Sequence, residues 1–332
     1  MRIYWHYTSV LVQHEKVVKS MTVQGKANIL MIIVTMFWGL SYTFMVMGLE
    51  EMSVFNVVAW RSLIAFFIAG IIFYKRMKSV NRKILLYAFI QGFLLFIVFS
   101  LSTIGLETTS VGNAGFILSL TVVLVPIITS VLEKKIPSRG VILSIIFTMI
   151  GISTLTIAGS VAFHIGDIIV AIAAVSYAIY LILNGTFTKS VDSISYGVYQ
   201  LGFAGIIAVI FMFIFEQPQI PTTPSSWFAI LGLGLACTAL GFIGQTVAQQ
   251  YTSPTHTSLI FSLEPIFAAI FGALFIGETI TVKLIIGGSF ILLGNFVAQF
   301  EQFYHTRHIQ HINQQQPESV SNMHLFPHIK RS

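Results

Sequence analysis

Two ionisable side chains, Arg61 and Glu264, lie inside long apolar segments of the chain. A charge placed in hydrocarbon is costly, so such side chains usually face a cavity, a partner or a substrate. If both segments are membrane-crossing helices, Arg61 lies roughly 10 Å from one face and Glu264 roughly 12 Å from the other. Four roles are open for these side chains. They form an ion pair with each other, Glu264 hydrogen-bonds to nearby hydroxyls, Arg61 reaches the membrane interface, or one or both line a cavity that binds a zwitterion or a proton.

Aromatic side chains occur at matching places in the two halves of the sequence. Trp38 and Tyr177 both come near the middle of an apolar segment, where they either pack between helices or stack on a flat or cationic substrate. Tyr42 and Tyr180 follow them by four and three residues, about one turn along the same helix face.

Uncharged polar side chains also occur inside the apolar segments, including Gln91 and Gln200. Such groups either hydrogen-bond neighbouring helices or contact a ligand. Cys237 is the one cysteine, and we expect it to be buried as a small apolar residue. We predict no catalytic group, metal site or cofactor. The candidate substrate-binding residues are Trp38, Tyr42, Arg61, Gln91, Tyr177, Tyr180, Gln200 and Glu264.

The composition places these residues in a membrane protein. Charged residues make up 9% of the 332 residues and hydrophobic ones 55%, whereas soluble domains are about one-quarter charged. The apolar runs lack the alternation of a β-barrel, so we predict an all-α integral membrane protein. Ten runs have the length of a transmembrane helix: 28–48, 54–74, 84–104, 111–131, 140–158, 165–183, 196–215, 227–247, 256–276 and 282–300.

The basic residues predict the orientation of these ten helices. Sixteen Lys and Arg residues fall in the termini and in the loops on one side, and only Lys283 falls in a loop on the other. Because basic loops stay in the cytoplasm, we expect both termini there, in a multi-pass protein of the plasma membrane. The positive charge would then meet anionic lipid headgroups of the bilayer, so no nucleic acid is expected as a partner.

The two halves of the chain resemble each other. Trp38 and Trp60 match Tyr177 and Tyr199 at one offset of 139, and Ser119 matches Ser262 at 143. Five helices per half is an odd number, so the second half would enter the membrane from the opposite side, as in inverted-repeat transporters. We predict a cytoplasmic segment 1–27 (with Met21 as an alternative start), repeats 28–158 and 165–300, and a polar cytoplasmic tail 301–332.

Three motifs resemble the drug/metabolite transporter superfamily, and its ten-helix EamA-type branch in particular. They are Met36-Phe37-Trp38-Gly39-Leu40-Ser41-Tyr42, Arg61-Ser62 after Trp60, and Ser262-Leu263-Glu264-Pro265 through Gly277-Glu278. The resemblance covers about residues 28–300. One departure is that Val122 stands where Pro265 would match and the proline follows at Pro126, so we expect any kinks of the two helices at unequal depth.

The resemblance implies a secondary transporter that exports amino acids or related small polar metabolites by alternating access. Import and exchange are alternatives, and a homodimer is possible. A membrane-embedded enzyme is disfavoured because no nucleophile–base or metal constellation is visible. A receptor would need an appended soluble domain, and a channel would need a selectivity filter or charged ring, neither of which is recognisable.

Overall fold

The computed structural model describes residues 2–109, 111–156, 164–271, 274 and 282–315. The regular secondary structure of these residues is entirely helical, as the sequence predicts. The α-helices are α1 Arg2–Leu49, α2 Val54–Ile72, α3 Tyr74–Met77, α4 Arg82–Leu106, α5 Val111–Ser119, α6 Thr121–Glu133, α7 Arg139–Thr156, α8 Ile165–Phe187, α9 Ser193–Phe215, α10 Pro224–Gly232, α11 Gly241–Gln249, α12 Pro254–Phe261, α13 Glu264–Phe271 and α14 Val282–Gln315. A π-helical segment, Leu233–Leu240, joins α10 to α11.

Six helical stretches of the described chain are long and apolar enough to cross a membrane. They are Val23–Leu49, Val54–Ile72, Arg82–Leu106, Ile165–Phe187, Ser193–Phe215 and Pro224–Gln249. Three shorter apolar helices cover Ile117–Glu133, Arg139–Thr154 and Ile285–Ala298. The predicted run 256–276 extends beyond residue 271 into residues that are only partly described, so the count of ten spans stays a prediction.

The outer surface of the helices is apolar. Phe67, Ile71 and Phe213 have 60%, 70% and 67% of their surface exposed, and many other large hydrophobic side chains are exposed with them. Extended apolar surface of this kind is rare on a soluble monomer and marks contact with another apolar phase. Lipid is the phase that suits a bundle of membrane-length helices.

The predicted fourth and ninth helices are each interrupted. The first breaks between α5 and α6 at Leu120, and the second breaks between α12 and α13 at Ser262 and Leu263. At each break a backbone amide donates a hydrogen bond to the carbonyl three residues earlier, as in a 3₁₀ turn. The pairs are Leu120 with Ile117 and Leu263 with Ile260, both at 3.1 Å. Leu120 and Leu263 are separated by 143 residues, the offset that also relates Ser119 to Ser262, so the two breaks fall at matching positions. Unequal depth of the two kinks in the membrane stays a prediction.

Helices α2 and α9 are joined by hydrogen bonds at both of their ends. The Trp60 indole N–H donates to the Gln219 carbonyl (2.9 Å), in the segment that follows α9. At the other end the Tyr199 hydroxyl donates to the Met77 carbonyl (3.3 Å), in the segment that follows α2. Trp60 and Tyr199 are the residues that the sequence comparison pairs, so the matched positions make equivalent contacts.

Additional polar contacts hold the same two ends. Glu216 accepts hydrogen bonds from the backbone amides of Phe55 (2.9 Å) and Asn56 (3.1 Å) at the start of α2. At the start of α9, Asp192 forms an ion pair with Arg76 (2.7 Å). The polar network therefore fixes the position of α2, which carries Arg61.

The Trp38-Gly39 motif of α1 packs closely against α13, the helix that begins at Glu264. A Cβ atom at Gly39 would lie 2.6 Å from the Cβ of Phe267 and 2.7 Å from the amide nitrogen of Ala268. We expect Gly39→Ala to lower the free energy of unfolding by about 1–3 kcal/mol, since the helices must move apart. Thermal unfolding of the purified protein in detergent measures this effect.

The matched control for that substitution is Gly25→Ala. A Cβ atom at Gly25 would meet nothing within 4 Å, and the residue lies inside the same helix. There the change should stabilise the helix by up to about 1 kcal/mol. Equal unfolding temperatures for the two variants would contradict the close packing of α1 against α13.

Candidate functional site

A cavity of about 60 Å³ lies among α1, α2, α4, α5, α8, α11 and α13, and we call it the central cavity. Five of the eight candidate residues line it: Trp38, Tyr42, Arg61, Tyr177 and Glu264. Its remaining walls are mostly apolar. Side chains that are distant in sequence, from both halves of the chain, therefore meet at one place.

Arg61 is buried beside this cavity, with 3% of its surface exposed. Its Nε donates a hydrogen bond to the Thr238 hydroxyl (3.0 Å), and Nη1 lies 3.6 Å from the sulfur of Met45. The guanidinium carbon sits 4.1 Å from the centre of the Phe99 ring, a cation–π contact. Arg61 thus does not extend to the interface.

Arg61 and Glu264 line the same cavity without forming an ion pair. Among the residues that the structure describes, one ion pair closer than 4.0 Å occurs, between Arg76 and Asp192, and Arg61 takes no part in it. The interpretation of Arg61 and Glu264 as an interhelical ion pair is therefore wrong for this conformation.

Glu264 is the first residue of α13, immediately after the break in the predicted ninth helix. A carboxylate at this position is favoured by the positive end of the helix dipole. The Tyr42 hydroxyl lies beside the Glu264 carboxyl, although the contact falls short of a well-formed hydrogen bond. The break in the helix thus puts a carboxyl group at the cavity wall.

Aromatic rings form the other side of the central cavity. The Trp38 ring meets Tyr177 edge-on with 6.0 Å between centroids, and lies 4.8 Å from Phe242 and 4.7 Å from Phe261. The Trp38 indole N–H donates to the carbonyl of Cys237 (3.0 Å), inside the π-helical segment. Because this hydrogen bond occupies the only polar group of the Trp38 side chain, Trp38 presents an aromatic ring to the cavity and no hydrogen-bond donor.

The three other candidate residues lie outside the cavity wall, in a buried polar cluster behind Tyr177. The Tyr180 ring stacks on Tyr177 with centroids 5.7 Å apart, and its hydroxyl donates to Gln200 Oε1 (3.3 Å). Gln91 Nε2 donates to the Tyr180 carbonyl (3.1 Å). In this conformation Tyr180, Gln91 and Gln200 bond to neighbouring helices, so the structure favours a packing role for them.

Several cavity residues have no signal in the sequence. Phe99 and Phe242 are two of 29 phenylalanines, and nothing in their spacing separates them from the rest. Thr238 holds Arg61 from the π-helical segment, whose only sequence cue is a cluster of small residues near Gly234 and Gly241. A π-helical segment often marks a functional site because its backbone groups depart from the regular pattern.

The central cavity combines a cation, a carboxyl group and aromatic rings in an otherwise apolar space. This set can bind a carboxylate at Arg61 and an ammonium group at Glu264 or over an aromatic ring. At about 60 Å³ it has room for a few water molecules in this conformation. Ligand sites usually measure about 300 Å³ or more, so the cavity must widen to admit a metabolite.

Comparisons with known proteins agree with this architecture. A model of the EamA-like transporter family matches residues 25–157 and again residues 164–299, so the chain contains two copies of one family unit. An uncharacterized transporter of Archaeoglobus fulgidus is 26% identical over 80% of this chain and 83% of its own length. The uncharacterized transporter YoaV of Bacillus subtilis is 25% identical over 81% of this chain and 95% of its own length.

A solved structure, described as a crystal structure of a protein, has the same fold. It superposes with a TM-score of 0.70 at 15% identity, over 83% of this chain and 97% of that one. The two family matches cover most of the chain and include all five residues of the cavity wall named above. The chain therefore belongs to the EamA-like transporter family and is a multi-pass membrane transporter.

Proposed function

We propose that the protein is a secondary transporter that exports small zwitterionic metabolites, amino acids or close relatives, across the plasma membrane by alternating access. The observation that carries the proposal is that Arg61 and Glu264 line one cavity without pairing with each other. A ligand that bears both a carboxylate and an ammonium group satisfies both side chains at once.

Arg61 supports the carboxylate half of this proposal. A buried charge that lacks a partner costs several kcal/mol, so the site gains most from an anion that arrives with the cargo. Arg61 commits one nitrogen to Thr238 and another to the sulfur of Met45, a weak acceptor. Guanidinium groups bind carboxylates through two parallel hydrogen bonds, which gives geometric selectivity as well as affinity.

Glu264 and the aromatic rings support the ammonium half. The Glu264 carboxyl, the Trp38 ring and the Tyr177 ring face the same small space, and each attracts a cation. In the absence of cargo, Glu264 can take a proton instead. Exchange of cargo for proton at one carboxylate would couple the flux to a pH gradient.

The proposed mechanism needs two copies of opposite orientation, with both termini in the cytoplasm. Three observations support the presence of two copies: the two family matches, the equivalent breaks at Leu120 and Leu263, and the equivalent contacts of Trp60 and Tyr199. Their opposite orientation and the cytoplasmic termini rest on the odd helix count per half and on the basic residues. In such transporters the cargo site lies between the repeats near the midplane of the membrane. Cargo drives the change only if its affinity differs between the two open states.

Reconstitution into liposomes tests the proposed function. Purified protein should give saturable flux of at least one radiolabelled α-amino acid from a panel, and the flux should change with an imposed pH gradient. Protein-free liposomes are the control for leakage. If every amino acid in the panel moves at the rate of protein-free liposomes, the proposed cargo class is wrong.

A further inference from the structure

A second cavity, larger than the first, lies where α6, α7, α12 and α14 meet, and we call it the α6–α12 pocket. Its volume is about 450 Å³, within the range of small-molecule sites. The predicted topology puts it at the cytoplasmic face. The titratable side chains on its wall are Glu133, Glu301, Lys135 and His256. With the histidine neutral, two carboxylates face one ammonium group, so the wall carries a net negative charge. Glu301 also accepts a hydrogen bond from the Gly140 amide (3.2 Å) at the start of α7.

The α6–α12 pocket and the central cavity lie along the same two interrupted helices. In the first of these, Leu118 lines the central cavity, Leu120 is at the break and Pro126 lines the pocket. In the second, Glu264 lines the central cavity and Leu259 lines the pocket. The distance along each helix from one cavity to the other is about two turns or less.

An apolar cluster forms part of the pocket wall, and its member Val122 lies along the helix between Leu118 of the central cavity and Pro126 of the pocket. Val122 and Leu259 have 0% and 1% of their surface exposed, and together with Ala298 they form this cluster. Val122 follows the break at Leu120 by two residues, and Leu259 precedes the break at Leu263 by four. Both residues therefore sit on the pocket side of a break, on α6 and α12.

We propose that the α6–α12 pocket is a loading site on the cytoplasmic side of the central cavity, and that Val122 and Leu259 form the gate between them. This inference rests on the proposed function and adds a second binding site to it. The pocket takes small molecules that carry an ammonium group, because Glu133 and Glu301 give its wall an excess of negative charge. Tilting α6 and α12 at the two breaks separates Val122 from Leu259 and joins the two cavities.

The geometry of the breaks suits such a tilt. At Leu120 and Leu263 the backbone amide donates to the carbonyl three residues earlier instead of four. The regular α-helical hydrogen bonding is already interrupted at these residues, so each helix can bend there at little further cost. The central cavity is lined from α5 and α13, on the far side of the breaks, while the pocket is lined from α6 and α12. Bending therefore moves the gate while Leu118 and Glu264 keep their places in the central cavity.

A thiol placed in the central cavity tests this path without any cargo. Cys237→Ala removes the one native cysteine, and Ser102→Cys puts a reporter on the cavity wall. Membrane-impermeant methanethiosulfonates, one cationic (ethyltrimethylammonium) and one anionic (ethylsulfonate), are added to the cytoplasmic face of inside-out vesicles. The ratio of their modification rates, divided by the ratio for free cysteine, reports the charge of the path.

The pocket charges should control that ratio. The parent protein should favour the cationic reagent, because a path with a net negative charge concentrates cations. The double variant Glu133→Gln/Glu301→Gln removes both carboxylates and leaves Lys135, so it should lower the ratio by about tenfold. The Glu301→Gln change keeps a side-chain oxygen that can accept from the Gly140 amide. An unchanged ratio would show that the path avoids the pocket and would overturn the proposal.

Leu259→Ala tests the gate, because it removes most of one gate side chain. Both reagents should then modify the reporter thiol faster when they are added to the cytoplasmic face, and at an unchanged rate when they are added to the outer face. Leu292→Ala is the matched control, because Leu292 is 56% exposed on neighbouring α14 and should change neither rate. Equal acceleration from both faces would indicate general loosening and would contradict the gate. If the parent reporter, and a second one at Ser41→Cys, react from neither face, the alternating access of the proposed function fails as well.

Discussion

Replacing Arg61 by methionine should strongly lower transport of carboxylate-bearing cargo and leave the protein at least as stable as the wild type. Loss of one partner from a buried, hydrogen-bonded charge pair costs about 2–5 kcal/mol, which predicts a fall in kcat/KM of about 30-fold or more. Stability should not fall in parallel, because the change removes a buried charge that has no carboxylate partner in this conformation.

Liposome flux and thermal unfolding of the same preparation measure both quantities for Arg61→Met. Arg61→Lys is the control, because it keeps the charge and loses the paired donors, and it should fall between wild type and Arg61→Met. A large drop in unfolding temperature for Arg61→Met would indicate that Arg61 is a structural residue. Full flux in that variant would remove Arg61 from the site.

Replacing Glu264 by glutamine should lower flux by a similar factor and should also make it insensitive to an imposed pH gradient. The amide keeps the shape of the side chain, but it lacks the negative charge that attracts an ammonium group and takes no proton in the physiological range. Glu264→Asp, which keeps the charge one methylene further back, should retain the pH response at reduced flux. The measurement is initial flux against internal and external pH in the same liposomes.

One outcome of the flux measurement would contradict the role proposed for Glu264. If Glu264→Gln carries cargo at the wild-type rate with the wild-type pH response, the carboxyl group is not part of the transport mechanism. The proposed ammonium site would then consist of the aromatic rings alone. Trp38→Ala would become the decisive variant, with a loss of cargo affinity as its expected effect.

The sequence could predict those residues whose chemistry is out of place in hydrocarbon. Arg61 and Glu264 carry charge inside apolar segments, and Trp38 and Tyr177 occur at repeat-matched positions, so each has a signal that stands above a background of leucine and phenylalanine. The structure brings all four to one cavity. The same reasoning applied to Gln91 and Gln200 did not place them there, because a polar residue on an all-apolar helix does not reveal which neighbour it faces.

Other features of the site depend on backbone geometry that a single sequence does not specify. The breaks fall at matching residues, Leu120 and Leu263, and the positions of the prolines did not indicate them. The π-helical segment positions both the Cys237 carbonyl and the Thr238 hydroxyl, and its residues differ little from those of an ordinary apolar helix. These are tertiary effects, set by how closely the helices pack.

Competition between one transported amino acid and its two blocked forms tests most directly whether cargo bridges Arg61 and Glu264. The methyl ester removes the carboxylate that Arg61 would bind, and the N-acetyl form removes the ammonium group that Glu264 would bind. Each blocked form should inhibit flux at least about tenfold more weakly than the unblocked amino acid. In Arg61→Met the methyl ester should inhibit flux as well as the unblocked amino acid does, because no guanidinium group is left to bind the carboxylate. Equal inhibition by all three compounds would contradict a site built around both charges.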